Sequence, residues 1–519
     1  MDNYRSEFVI ALTCAVGTDI LPVREAIEEE LKKYSYSCCT VKISQSLLTP
    51  LDPGIIQMNN YKRAGRLMDL GNKMREGSKD NAILAKGAIH QITTYRQSAD
   101  EPRQATAYII DSLKHPEEVK ALREVYGTGF YLLAINESEK FRLENLIETK
   151  NLGKDDAKSL IRRDLDEGPP YGQKTRGVFE LADFHLSLNG WKRAYDKHPS
   201  VRAEADKRRA AKKLVIQKQL ERIIRLMFGN PFITPTFDEY AMFMAYSAGL
   251  RSADLSRQIG AVIATPNNEI VAMGANDCHR FGGGQYWPVY DKDTFGYKDV
   301  ENGRDYMCGY DANRREHLQI VDEIVDMFNF TDDEKGQKDR QETWNRIYQS
   351  RIKFLTEYGR PVHAEMAAIL SCARTGISLQ NATLYCSTFP CHNCAKHIIG
   401  AGIRRVVYIE PYPKSMSVKL YQDALVLADA LMDDEEQDHV RFEEFVGIGP
   451  RRFFDLFSMK LSSGLPVKRK NKDGYIVNWD CQTADIRCIM APSSYFEREQ
   501  LAVAVYNNYS KHYLEEKEK

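Results

Sequence analysis

"TFPCHNCAKHI" (residues 388–398) is the stretch that decides how this 519-residue chain is read. Cys391 and Cys394 stand at i and i+3 just behind Pro390, a residue suited to helix entry. The spacing predicts both thiols on one side of the first helical turn, where a helix N-terminus favours thiolate over thiol. Upstream, "PVHAEMAAIL" (361–370) sets His363 and Glu365 at the start of a second helix, with Met366, Ile369, Leu370 and Ala373 as its apolar stripe. Two helix starts feeding one point would gather His363, Cys391 and Cys394 as three zinc ligands and leave a fourth position for water. Glu365 is then placed to touch that water without binding the metal. Zinc lowers the pKa of bound water to roughly 7, and a carboxylate beside it can accept and return protons. The competing arrangement is a closed structural site completed by His392, His397, Cys278 or Cys308.

Composition sets the outer bounds. Hydrophobic residues make up 43% and charged residues 28%, values ordinary for a folded water-soluble protein of more than one domain. A net charge of -1 argues against bulk phosphate-driven binding to duplex nucleic acid, though a local basic pocket stays open. The opening "MDNYRSEFVIALTC" lacks the basic start, long apolar run and cleavage site of a signal peptide, and no run approaches the ~18 apolar residues that span a bilayer. Eleven cysteines, an odd number, fit a reducing cytoplasm better than a disulfide framework. A cytoplasmic protein without a membrane partner is expected.

Along the chain, residues 1–195 alternate strand-like and helix-like segments, the pattern of a parallel sheet with covering helices. "EFVIALTCAVGTD" is an apolar run broken by Gly17, and "ILPVREAIEEELKKYS" has helical spacing, with Leu21, Ala26, Ile27 and Leu31 among its apolar positions. Residues 196–230 form a charged helical connector whose basic cluster, Arg202 to Lys213, reads as a solvated face or, alternatively, a nucleotide contact. A second α/β domain spans 231–430. It holds a helix "EYAMFMAYSAGLRSADLSRQ", a strand pair turning at Pro266-Asn267-Asn268, and an insertion at about 281–355 rich in Gly, Tyr and Asp. Residues 431–519 are a C-terminal extension opening on an acidic run.

The spaced pattern H-x-E…P-C-x-x-C, here His363, Glu365, Cys391 and Cys394, resembles the signature of the cytidine/deoxycytidylate deaminase superfamily. "RSADLSRQIGAVIA" (251–264) and "GAND" (274–277) are similar to that family's substrate-side segment. The resemblance implies a mixed five-stranded sheet flanked by helices, with zinc between two helix N-termini. It also implies substrate-side roles: Asn276 for the sugar, Arg251 and Lys414 for phosphate, Tyr412 for the base, with Ala364 between ligand and acid. A turn-forming Asn276, a salt-bridged Arg251 and a surface loop at 410–415 are the plainer alternatives.

"IIDSLKHPEEVKALRE", "LLAINESEKFRLENL" and "ELADFHLSLNG" follow the order seen in P-loop nucleotide kinases, which the first half resembles. A working phosphate loop reads G-x-x-x-x-G-K-[ST]. Here "TCAVGTDI" keeps Gly17, followed by Thr18 and Asp19, but has no lysine and carries Cys14 where glycine is expected. A degenerate loop that senses a nucleotide or partner is expected in place of phosphoryl transfer. Asp111 is either a residual Mg²⁺-side acid or a strand-end cap.

The kinase-like first half, the connector, "RSADLSRQIGAVI", "GGGQYW" (282–287), "HAE" and "PCHNC" together make nearly the whole chain resemble the bacterial anti-phage dCTP deaminase family. That resemblance implies hydrolysis of dCTP or dCMP to the deoxyuridine nucleotide and ammonia, with Glu365 moving protons to N3 and the departing amine. It also implies homo-oligomers and an activity silent until infection, released through a regulatory nucleotide or a phage or host factor at the N-terminal domain. Two other readings compete: the same chemistry on a base in single-stranded DNA or RNA, and a non-catalytic nucleotide sensor with structural zinc. A second zinc ion at Cys278, His279 or Cys308 is a further open question.

Overall fold

The apolar run after residue 7 becomes strand β1 (Phe8–Cys14), buried at every position, as a central parallel strand covered on both faces must be. The structure is a computed structural model that describes residues 5–98, 105–165, 167, 171–196, 204–411, 415–428, 438–460, 464–490 and 492–518. It divides into two compact units, one made of residues 1–239, 429–433 and 445–519, the other of 240–428 and 434–444.

In the first unit, β2 (Ser37–Lys42), β3 (Thr106–Asp111), β4 (Phe130–Asn136) and β5 (Phe184–Ser187) join β1 in the order β5-β4-β1-β3-β2, all parallel. The short strand Gly447–Ile448 closes one edge antiparallel to β5. Alternation along β1 divides the core. Val9 and Ala11 pack with Ile83, Ala85, Ile89 and Ile92, while Phe8, Ile10 and Leu12 pack with Val23, Ile27 and Leu31. Of the four apolar positions read in the first helix, Leu21–Lys32, only Leu21 is exposed.

Two boundaries read from the sequence change. The helix Glu204–Met227 is no connector, because Ile216, Leu220, Ile223 and Ile224 are core residues beneath β1. Its cations are spent on carboxylates of the same unit: Lys212 on Glu137 at 2.7 Å, Arg208 on Glu148, Arg209 on Glu25 and Lys213 on Glu29. Residues 445–519 belong with the first unit, held in part by a buried guanidinium. Arg96 pairs with Glu7 at 2.9 Å and with Glu499 of the helix Pro492–Glu518 at 2.5 Å. Residues 429–437, which include most of the acidic run, lie outside the described residues.

The second unit holds β6 (Gly260–Ala264), β7 (Ile270–Ala275), the hairpin β8 (Val289–Asp291) and β9 (Gly296–Lys298), then β10 (Thr383–Thr388), β11 (Arg405–Glu410), β12 (Leu425–Ala428) and β13 (Val440–Glu444). Its main sheet has six strands, not five, in the order β12-β13-β11-β10-β6-β7. β10 to β13 pair in parallel, whereas β6 is antiparallel to both β7 and β10. The turn between β6 and β7 uses Asn268 at φ 63°, a conformation asparagine tolerates. The helix Phe237–Gly249 stops earlier than its sequence suggests. Gly249 lies against Gly260, where an added Cβ would meet the Gly260 nitrogen at 2.9 Å, so the chain turns into an irregular segment, 250–259, before β6. The insertion contributes the β8–β9 hairpin, the short helix Asp305–Cys308 and the longer helices Ala312–Asp326 and Glu334–Tyr348. Among the described residues, no helix is long and apolar enough to cross a membrane.

Candidate active site

The helix Ala364–Thr375 begins with His363 as its N-cap, and the helix His392–Gly400 begins with Cys391 as its N-cap. Both starts follow from sheet geometry. β10 ends at Thr388 and delivers Phe389-Pro390-Cys391 to the second helix, while the first helix lies across β7 at glycine. A Cβ on Gly274 would stand 2.2 Å from the Ala364 carbonyl oxygen, so this helix sits closer to the sheet than a side chain permits.

His363 Nδ1 is 3.3 Å from Cys391 Sγ and 3.3 Å from Cys394 Sγ. One ligand atom from each of the three lies within 4.8 Å of the others, and among the described residues this is the one such group. The donor chemistry fits a thiophilic cation. Cys391, which accepts a hydrogen bond from Cys394 and faces the imidazole, is pulled down to about 4. Cys394, donor of that bond and buried, is held well above its ordinary value. His363 is raised to about 9 by its hydrogen bond to Cys391, against the opposing effect of burial. A divalent cation binding there would displace the protons and take the imidazole and the thiolates as ligands.

Glu365 lies in the first helical turn and is 5% exposed. Burial first, then the charge of Cys391, raises its carboxyl above the usual range. It shares a cavity of about 380 Å³ with His363, Ala364 and Cys391. Asp254, Ser256, Arg257 and Ile259 of the irregular segment also line it, as do Asn276, Thr388 and Phe389. The insertion and its exit contribute Asp305, Asp311, Asn313 and Thr356.

The other residues singled out from the sequence divide. Asn276 reaches the cavity, but its side chain is engaged with backbone at both ends. Its Nδ2 donates to the Arg257 carbonyl at 2.8 Å and its Oδ1 accepts from Ile259 N–H at 2.7 Å. Arg251 does not line this cavity. Its guanidinium hydrogen-bonds Gln285 and the Tyr286 carbonyl, faces Asp277 at 3.8 Å and lies 3.8 Å over the Trp287 ring. The salt-bridge alternative therefore describes Arg251 better than phosphate binding does. Tyr412 and Lys414 lie outside the described residues. Neither histidine of the closed-site alternative joins the cluster: His397 Nδ1 contacts the Asn393 carbonyl at 2.7 Å, and His392 is not among the grouped ligands. Cys278 donates to Asp305 at 3.6 Å and Cys308 accepts from Arg360 at 2.8 Å, so these thiols are engaged with other partners.

Sequence reasoning missed Arg257, the one lysine or arginine lining the cavity among the described residues. It pairs with Glu410 at 2.6 Å, and Glu410 in turn accepts from Thr388 at 2.8 Å. Its position three residues before β6 was the available signal.

A mixed sheet with a His-Cys-Cys cluster at two helix starts and a buried acid beside it is the frame of a zinc-type deaminase. Residues 235–410 match the model of the cytidine and deoxycytidylate deaminase zinc-binding region. The deoxycytidylate deaminase of enterobacteria phage T2 is 48% identical over 172 residues, 33% of this chain and 79% of that protein. ComE operon protein 2 of Bacillus subtilis is 39% identical over 77 residues, 15% of this chain and 41% of that protein. The solved dCMP deaminase of cyanophage S-TIM5 aligns at 16% identity and a TM-score of 0.22, covering 41% of this chain and all of its own. The chain belongs to the deoxycytidylate deaminase family, a family of hydrolytic enzymes.

Proposed function

We propose that this chain hydrolytically deaminates deoxycytidine nucleotides, dCTP, dCMP or both, to deoxyuridine nucleotides and ammonia. The observation that carries the reading is the opening of His363, Cys391 and Glu365 onto one cavity, with Cys394 behind them. His363, Cys391 and Cys394 would hold one zinc ion. Bound there, zinc would lower the pKa of a water molecule toward roughly 7.

Glu365 takes one proton from the attacking water and passes it to N3 of cytosine, then takes the second from the new C4 hydroxyl and passes it to the departing amine, which leaves as ammonia. Its burial raises its affinity for a proton, as a group that accepts and returns protons requires. Phe389, 8% exposed and set edge-on to Tyr408, offers the base an apolar wall. Arg257 supplies the cation nearest the phosphate end. Asn276 acts mainly by holding the 257–259 backbone that shapes this wall, a role that leaves its second amide hydrogen for a sugar hydroxyl. Asp254, Asp305 and Asp311 on the lining disfavour a polynucleotide strand, which needs a basic, aromatic groove.

The reading extends to the cell: depletion of dCTP by a homo-oligomeric enzyme in antiviral defence, with the first unit as the regulator. The deciding experiment is ammonia release from dCMP, dCTP and a cytosine-containing single-stranded oligonucleotide, with zinc quantified in the same preparation. Release from a free nucleotide is expected. Release from the oligonucleotide alone would overturn the substrate class.

A further inference from the structure

We propose that the loop following β1 is an anion cradle already filled from within the chain, by the carboxylates of Asp164 and Glu137, so that it accepts no nucleotide phosphate. The loop leaves the C-terminal end of a central parallel strand and leads into the helix Leu21–Lys32, the place where parallel α/β sheets gather anions on backbone N–H groups. Here three of those groups have partners within the chain. Val16 N–H donates to Asp164 Oδ2 at 2.7 Å, Asp19 N–H donates to Glu137 Oε2 at 3.0 Å, and Thr18 N–H donates to the Ala15 carbonyl at 3.1 Å.

The nearby cations are taken as well. Lys114 binds Asp164 Oδ1 at 2.9 Å and the Cys14 carbonyl at 2.6 Å, and Lys212 binds Glu137 Oε1 at 2.7 Å. Asp164 is 0% and Glu137 3% exposed, so neither carboxylate is a surface group that swings away at little cost. The loop carbonyls are tied down in the same manner. Arg142 donates to Val16 O at 3.1 Å and Asn145 to Gly17 O at 2.8 Å. Gly17, at φ 90°, is pressed so close that a Cβ would meet the Arg142 carbonyl oxygen at 2.8 Å.

An incoming phosphate would have to expel two buried carboxylates of its own sign and leave two lysines to be re-paired. Gly17, Thr18 and Asp19 thus lose the nucleotide-sensing role expected of them. This inference is independent of the deaminase reading.

The test uses the full chain. Calorimetric titration with ATP, GTP and inorganic pyrophosphate is expected to give no saturable heat with the wild type. Saturable binding that Gly17→Ala removes would overturn the proposal. Asp164→Gly removes the surrogate and bares Val16 N–H and Lys114. Millimolar inorganic phosphate is expected to raise the melting temperature of this variant by several degrees and leave the wild type unmoved. Should Asp164→Gly not fold, the conservative Glu137→Gln, which frees the charge of Lys212, takes its place with the same expectation. Equal response of variant and wild type to phosphate would sink the idea.

Discussion

The imidazole Nδ1 of His363 lies 3.3 Å from the sulfur of Cys394, though 31 positions of chain separate them. Two helix starts, delivered by different parts of one sheet, make that approach. If the cluster is a metal site, Cys391→Ala leaves two protein ligands and should reduce bound zinc from about one per chain to near zero. The measurement is metal content after dialysis, with cobalt substitution as a second probe. The sulfur-to-cobalt charge-transfer band expected of the wild type should weaken in the variant. Unchanged zinc content in the variant would place the metal elsewhere.

Glu365→Gln keeps the shape of the side chain and removes its ability to carry a proton. Turnover should fall by ~10²–10⁴-fold, the usual worth of a positioned acid–base group. Zinc content and melting temperature should stay at wild-type values, because Glu365 is outside the ligand set. A variant that loses zinc in parallel with activity would instead make Glu365 a ligand.

Gly274 offers a test of how the site is held. A methyl group there would meet the Ala364 carbonyl oxygen at 2.2 Å and the Ala368 nitrogen at 2.7 Å, both backbone atoms of the helix that carries Glu365. Gly274→Ala should cost about 1–3 kcal/mol of stability through overpacking. It should also lower kcat at saturating substrate, since the helix must lift from β7. Wild-type kcat in a destabilised variant would show that the helix absorbs the shift without moving its first turn.

Much of this was legible locally. The i, i+3 cysteines behind a proline, the His-x-Glu at a helix start and the mostly apolar run of β1 each declare themselves within a few residues. What was hidden depends on distant partners. The ion pairs of Glu204–Met227 were hidden, because the glutamates that neutralise Arg209 and Lys213 lie 184 positions away. The tail looked like an appendage, because Glu499 meets Arg96 across 403 positions. The sequence pointed to Arg251 for phosphate and passed over Arg257; only the fold turns the first toward Trp287 and the second toward the cavity.

His185 in β5 gives the first unit a pH signature. Its ring lies edge-on to Phe445 with centroids 5.6 Å apart, and burial depresses its pKa from 6.5 to about 4 despite the nearby charge of Asp183. The folded chain therefore keeps His185 neutral in a range where the unfolded chain protonates it. Between those two values the unfolded state binds more protons, so stability rises with pH and is lost as pH falls from the unfolded value toward the folded one. The loss should reach about 3 kcal/mol by pH 4 relative to neutral solution. Denaturant unfolding of wild type and His185→Gln at a series of pH values would reveal it. The variant should lie below the wild type at pH 7, with the gap narrowing as the solution is acidified. A gap that stays constant would mean that His185 is free to charge in the folded state.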